Sequence, residues 1–229
     1  MSASSKRYNN NKELIEENQK YMVDEAISLL KKTGNTKFKE SIDVAINLGI
    51  DPKQTEQNVR GSVVLPNGTG KNMRVIVFAE SVDAEAAKTA GADEVGAEDL
   101  AEKIKAGFSD FDIVIATPSS MKIVGQLGQI LGPKGMMPNP KDGTVTKNIK
   151  EAVTNAKKGQ AMFRNDKGGV LHCSIRRVEF TEESIKENLL SLITQVNKSK
   201  PSSAKGIFIK KITLSSTMGP GIHVEESSI

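Results

Sequence analysis

The stretch RVIVFAESVDAEAAKTAGADEVGAEDLAEKIKAGFSDFDIVIATP, Arg74 to Pro118, decides the fold class of the chain. Its two apolar runs, Val75–Ala79 and Ile113–Ala116, do not alternate with polar residues. A strand that is apolar at every position is buried on both faces, and helices must cover it. Between the runs, DAEAAKTAGA and AEDLAEKIKAG repeat their apolar residues at helical spacing around a short strand, DEVG. Strand, helix, strand, helix, strand is the signature of a parallel α/β sheet. Two more helical patterns, SMKIVGQLGQIL (Ser120–Leu131) and NIKEAVTNAKKG (Asn148–Gly159), continue the unit.

Outward from this centre the texture changes. On the N-terminal side, Ile42, Val44 and Ile46 alternate with Ser41, Asp43, Ala45 and Asn47, the period of a half-buried strand. A helix is expected upstream from Lys12 to Gly34, carrying Leu14, Ile15, Met22, Val23, Ala26, Ile27 and Leu30 on one face. A brief strand, GSVVLP, precedes the centre, and the polar segment Met1–Glu13 is expected to be flexible. On the C-terminal side, Gln160–Phe180 reads as two strands around the turn Asp166-Lys167-Gly168-Gly169. A helix capped by Thr181 and stopped before Pro201 follows, then a long strand, GIFIKKITLSS.

Both ends are therefore antiparallel α+β and the middle is α/β. The expected organisation is a discontinuous domain from residues 1–67 and 160–229, with an α/β domain inserted at 68–159. Insertion is physically reasonable because domain ends lie near one another at the surface.

Length and composition agree with two compact units: 229 residues, 37% hydrophobic and 26% charged. The single cysteine, Cys173, excludes an internal disulfide and fits a reducing, cytoplasmic compartment. With only His172 and His223 beside it, no zinc-type ligand set can be assembled. No run of about 18 apolar residues is present, and the start has no signal-peptide core, so neither a membrane span nor export is expected. The formal charge of +4 hints at an anionic partner. Between Thr69 and Gly159 there are 12 basic and 12 acidic residues, so the excess lies in the flanks.

A nucleotide-binding enzyme built on the central unit is the rival reading. NGTGKN, Asn67 to Asn72, ends like a phosphate loop, but Leu65 stands where the motif needs glycine and Asn72 where it needs Ser or Thr. It also precedes the strand it should follow. His172 and Cys173 are neighbours on a strand, so they face opposite ways and cannot act as base and nucleophile. No cofactor, metal or catalytic residue is expected. Nucleic acid suits the flanks better, where Lys37 and Lys39 bracket Phe38, and Arg164 and Lys167 border the hairpin turn.

Four strings carry a family likeness: LGIDPKQTEQNVRGSVVLPNGTGK, LGQILGPKGMMPNPKDGTVT, MFRNDKGGVLH and STMGPG. In this order they resemble the bacterial-type ribosomal protein L-one family, large-subunit stalk proteins, over about Tyr21 to Val224. The resemblance implies an antiparallel α+β RNA-binding domain built from both chain ends, with a Rossmann-like domain inserted. It implies large-subunit ribosomal RNA, exit-site tRNA and the protein's own operon mRNA as partners, with assistance to release of deacylated tRNA and repression of that mRNA. Off the ribosome the protein is expected to be a monomer.

Carried onto this chain, the RNA-binding face comprises Lys37, Phe38, Glu40, Arg164, Asp166, Lys167, His172, Ser216, Thr217, Met218 and Gly219. Taken singly, Phe38 reads as a core aromatic and Thr217-Met218-Gly219 as a strand end and turn. The resemblance turns both into recognition elements, with the Thr217 and Ser216 hydroxyls expected to meet ribose hydroxyls. Asn67, Gly68, Lys158 and Gly159 are expected to form a hinge, since glycine tolerates large backbone changes. Leu131–Thr146, with its three prolines, either meets RNA or the other domain, or only fixes the chain's path.

Overall fold

Alternation and helical periodicity place the elements, and a computed structural model describes residues 5–16, 19–79 and 81–228. Along the chain come α1 (Lys6–Glu13), β1 (Lys20–Tyr21), α2 (Val23–Thr33), β2 (Ser41–Leu48) and β3 (Arg60–Val64). The middle holds β4 (Val75–Phe78), α3 (Ser81–Thr89), β5 (Glu94–Gly96), α4 (Glu98–Lys105), β6 (Ile113–Ala116), α5 (Met121–Gln126), α6 (Gly128–Leu131) and α7 (Ile149–Gly159). The chain ends with β7 (Gln160–Asn165), β8 (Val170–Arg177), α8 (Glu182–Lys198), β9 (Ile209–Ser216) and β10 (Ile222–Val224). Two compact units result, Met1–Gly70 with Ala161–Ile229, and Lys71–Gln160.

The first unit is built on a seven-stranded mixed sheet in the order β1-β10-β9-β2-β8-β7-β3. Its centre, β2, pairs antiparallel with β8 on one side and β9 on the other. The alternation in β2 sends Ile42, Val44, Ile46 and Leu48 to one face. They join Ile27 and Leu30 of α2 and Ile185, Leu189, Leu192 and Val196 of α8 in one core. Burying four such strand residues contributes about 1.5–3 kcal/mol each, which is why the register is strongly set.

The second unit is a three-stranded parallel sheet, β5-β4-β6. β4 and β6 are each buried at all four positions. Ile76, Phe78, Val114 and Ala116 pack against Leu100 and Ile104 of α4 with Val124 and Leu127. Val75, Val77, Ile113 and Ile115 pack against Ala87 of α3 and Val153 and Ala156 of α7 on the other face. The continuous apolar runs are covered on both sides, as their lack of alternation requires.

Three local expectations fail. The helix expected over Lys12–Gly34 is broken: Lys20–Tyr21 pairs in parallel with His223–Val224 and α2 begins only at Val23, the expectation at Glu17 and Asn18 lying outside the described residues. Edge pairing overrides helical spacing there, and the same pairing makes the C-terminal tail a strand. The segment expected to be flexible is helical from Lys6 to Glu13, residues 1–4 lying outside the described residues. Ser120–Leu131 is two short helices that meet at Leu127.

Candidate nucleic-acid interface

The face of the seven-stranded sheet away from its helices carries the residues of opposite parity. Along β2 these are Ser41, Asp43, Ala45 and Asn47. Register places Ser174 and His172 of β8 beside Asp43 and Ala45, and Ser215 and Thr213 of β9 on the other side. Arg164 of β7 lies opposite His172, and His223 of β10 opposite Thr213. The Thr213 Oγ1 and His223 Nδ1 are 3.1 Å apart, and burial followed by the charge of Lys211 holds the His223 imidazole below its ordinary pKa. Small hydroxyls, alanine and a few cations suit a surface approached by ribose and backbone rather than by phosphate alone.

At one end of this face the β2–β9 ladder finishes at Ile42 and Ser216, and Thr217 continues it with its side chain. Its Oγ1 accepts from the Ser41 amide at 2.9 Å and donates to the Ser41 carbonyl at 3.3 Å. The Met218 amide donates to Glu40 Oε1 at 3.1 Å, and the Gly219 amide to the Ser216 carbonyl at 3.1 Å. A Cβ on Gly219 would stand 2.5 Å from Ser216 Oγ, so a larger residue here would have to turn the buried Ser216 hydroxyl aside. Two large apolar side chains are left facing water here, Phe38 at 54% exposure and Met218 at 49%. An exposed aromatic ring and an exposed flexible thioether are each the kind of surface on which a base or sugar packs.

Glu40 and Ser216 differ from that expectation, because each is only 3% exposed. They support the loop from beneath. The Thr217 hydroxyl is also engaged internally, although the residue remains exposed.

At the other end stands the β7–β8 hairpin. Asp166 Oδ1 accepts from the amides of Gly168 and Val170, both at 2.8 Å, and Oδ2 lies 3.6 Å from His172 Nε2. The Val170 amide above all, then the Gly168 amide and His172, hold the Asp166 carboxyl below its usual range. Asp166 thus ties the turn, while Arg164, Lys167 and His172 are exposed. β2 pairs Ser41 with Arg177 at the loop end and Asn47 with Val170 at the hairpin end. Six steps of about 3.3 Å along β2 separate them, so the candidate residues form a track of roughly 20 Å, with His172 between its ends.

The chain leaves this unit under tight control. Asn188 of α8 is fully buried, and it donates to the carbonyls of Gly68 (3.1 Å) and Ile175 (3.2 Å) while accepting from the Asn67 amide (3.2 Å). Asn67 Nδ2 reaches Glu187 at 2.5 Å. Gly68, Gly70 and Gly159 all have positive φ. A Cβ on Gly70 would also meet the Phe180 ring at 2.7 Å, so glycine is required there twice over. Asn188 is a functional candidate that the sequence does show: it is polar on the stripe of Ile185, Leu189 and Leu192. Asn165, whose Oδ1 accepts from the Val59 amide at 2.8 Å and so joins β7 to β3, gives no such signal.

The loop Leu131–Thr146 fastens itself. Asn139 accepts from Asp142, Thr144 and Lys141, its amide donates to Thr144 Oγ1 at 2.8 Å, and Val145 forms a parallel bridge to Ala116. Met136 and Met137 pack on the core of the second unit. These bonds favour a structural role for the loop. Cys173 is buried, with its thiol pushed up to about 12 by burial first and the Asp43 charge second, while neighbouring His172 is exposed. Among the described residues, no three His, Cys, Asp or Glu side chains gather as a metal site, and no helix is long and apolar enough to cross a membrane.

With this geometry in place, comparison with known proteins is decisive. The model of the Ribosomal protein L1p/L10e family matches residues 30–220. The chain belongs to that family. It is 55% identical over 229 residues to the large ribosomal subunit protein uL1 of Proteus mirabilis, spanning 100% of this chain and 98% of the relative. Against uL1 of Haemophilus ducreyi it is 58% identical over 215 residues, 94% of each chain. Against uL1 of Chromobacterium violaceum the identity is 55%, over 100% and 99% of the two chains. Membership makes this a structural ribosomal protein and sets aside the nucleotide-binding enzyme.

Proposed function

We propose that this protein is a cytoplasmic component of the large ribosomal subunit that grips large-subunit ribosomal RNA with the first unit. The observation that carries the site is the pair of exposed apolar side chains, Phe38 and Met218, at the end of a hydroxyl-rich sheet face whose other end carries Arg164 and Lys167. Phe38 and Met218 pack on unstacked bases or sugars, Thr217 offers its remaining lone pair to a ribose hydroxyl, and Lys37, Arg164, Lys167 and His172 meet the backbone. Glu40, Asp166, Ser216 and Gly219 hold those groups in place. The two units act as separate domains, with the second carried as a mobile stalk beside the tRNA exit site, where it assists release of deacylated tRNA. The two chain crossings, near Asn67–Gly68 and near Lys158–Gly159, form the hinge. Because Asn188 holds Asn67 and Gly68, the first pivot falls just after them, at Thr69–Lys71. The same RNA-binding face represses translation of the protein's own messenger through a similar RNA fold, and the free protein is a monomer.

Titration with purified bacterial large-subunit ribosomal RNA and with a DNA copy, across a salt series, tests the reading. Shape and 2′-hydroxyl recognition predicts a shallow salt slope and little affinity for the DNA. A slope equivalent to about eight or more phosphate contacts, or equal affinity for DNA, overturns it.

A further inference from the structure

Helix α1 has no physical reason to exist by itself. Its eight residues, KRYNNNKE, have no apolar face, and a helix this short is marginal in water even with good helix formers. Tertiary contacts must hold it. Ser5 caps it by accepting from the Tyr8 amide, and Asn11, its buried residue at 3% exposure, donates to the Thr33 carbonyl at 2.9 Å. Arg7 Nη2 donates to the carbonyl of Met218 at 3.4 Å. The short loop after β9 is therefore gripped from both sides: Glu40 takes the Met218 amide at 3.1 Å and Arg7 the Met218 carbonyl. The two clamping residues lie 178 and 211 positions away in sequence. Arg7 Nη1, Glu40 Oε2 and Ser216 Oγ are also buried around this loop, with no hydrogen-bond partner among the described residues.

We infer that α1 is a positioning element of the RNA interface, with Arg7 holding the Met218 loop in the conformation that presents its thioether. The inference rests on the interface proposed above and adds to it a segment that precedes the span matched by the family. Arg7 acts through Met218 and does not itself touch RNA. Linkage then runs both ways: an RNA that selects the clamped loop must also stabilise α1.

The test uses the full chain and purified bacterial large-subunit ribosomal RNA. Arg7→Ala should weaken binding roughly three- to tenfold, the worth of one long, solvent-exposed hydrogen bond. Its salt slope should match that of the unaltered protein, and Arg7→Lys should restore most of the affinity. Once Met218→Ala is present, Arg7→Ala should cost little more, because the two act as one unit. In the unaltered protein, hydrogen exchange at the amides of residues 9–13 should slow when RNA is added. A salt slope smaller by about one unit in Arg7→Ala would make Arg7 a phosphate contact and overturn the positioning role. Unchanged affinity of Arg7→Ala, with Met218→Ala weakened, would overturn the inference and leave the interface standing. If Met218→Ala binds normally, the interface itself fails, and the inference with it.

Discussion

Thr217 shows what the sequence hides at the scale of a residue. Its neighbours Met218, Gly219 and Pro220 identify a loop, but only pairing with Ser41 reveals that its hydroxyl is already engaged in two bonds. Thr217→Val should therefore lower stability as well as affinity. It leaves the Ser41 amide without its partner, at a cost of about 1–3 kcal/mol if water cannot enter. Thermal melting and RNA titration of the same variant check this, and an unchanged melting point with weakened binding would restore a purely RNA-directed role. Asp166 gives a prediction in pH. Its folded pKa lies below the ordinary 3.8, so its contribution is complete above the unfolded value and is lost as pH falls through the folded one. An NMR titration should give a midpoint under 3.8, with the Gly168 and Val170 amides losing protection over the same range; Asp166→Asn should remove that acid-side change. Cys173, with its thiol at about 12, should react with iodoacetamide at pH 8 about a thousandfold more slowly in the folded chain than in the unfolded one. Equal rates would mean that the β8 core opens readily.

Elements were legible where one periodicity acted alone. β2 and α8 answer to alternation and to a clear apolar stripe, and the paired runs Val75–Phe78 and Ile113–Ala116 to the absence of alternation. Legibility failed where a distant partner decides the local state. Lys20 and Tyr21 leave a helical pattern because His223 and Val224 offer an edge to pair with, and α1 is ordered by side chains rather than by propensity. Asn188 lies between these cases, its place in the apolar stripe announcing a buried amide without saying what it binds. Replacing it with leucine should strand the Asn67 amide and the carbonyls of Gly68 and Ile175. The loss should be about 2–4 kcal/mol, lowering the melting temperature by roughly 5–15 °C. Calorimetry checks the figure, and a smaller loss would show that water replaces the amide and that the chain crossing is anchored less firmly than its bonds suggest.

For the whole molecule, the change of texture at the two ends of the central stretch was enough to tell a parallel three-stranded sheet from the mixed sheet built by the flanks. What could not be read was how the surroundings close. The structure places Val59 beside Asn165 and Gly61 against Phe163, so β3 and β7 are neighbours running in opposite directions. Their free ends, Val64 and Gln160, therefore lie where a tight turn would join them. The central residues emerge from, and return to, what is topologically a hairpin. Each unit also has its own core: the residues packed around β2 belong wholly to the first unit, those around β4 and β6 wholly to the second. Neither core needs the other to be buried. A chain in which a short Asn-Gly turn replaces residues 68–159 should fold and unfold cooperatively. It should keep affinity for large-subunit ribosomal RNA within a few-fold of the full chain, because every residue proposed to touch RNA remains. Residues 71–159 alone should show no such affinity. Circular dichroism and RNA titration of both pieces decide the matter. A shortened chain that folds but binds more than about a hundredfold more weakly, equivalent to about 2.7 kcal/mol, would mean that the central unit supplies part of the RNA surface, and Lys134, Lys141, Lys147 and Lys150 would be the first residues to exchange.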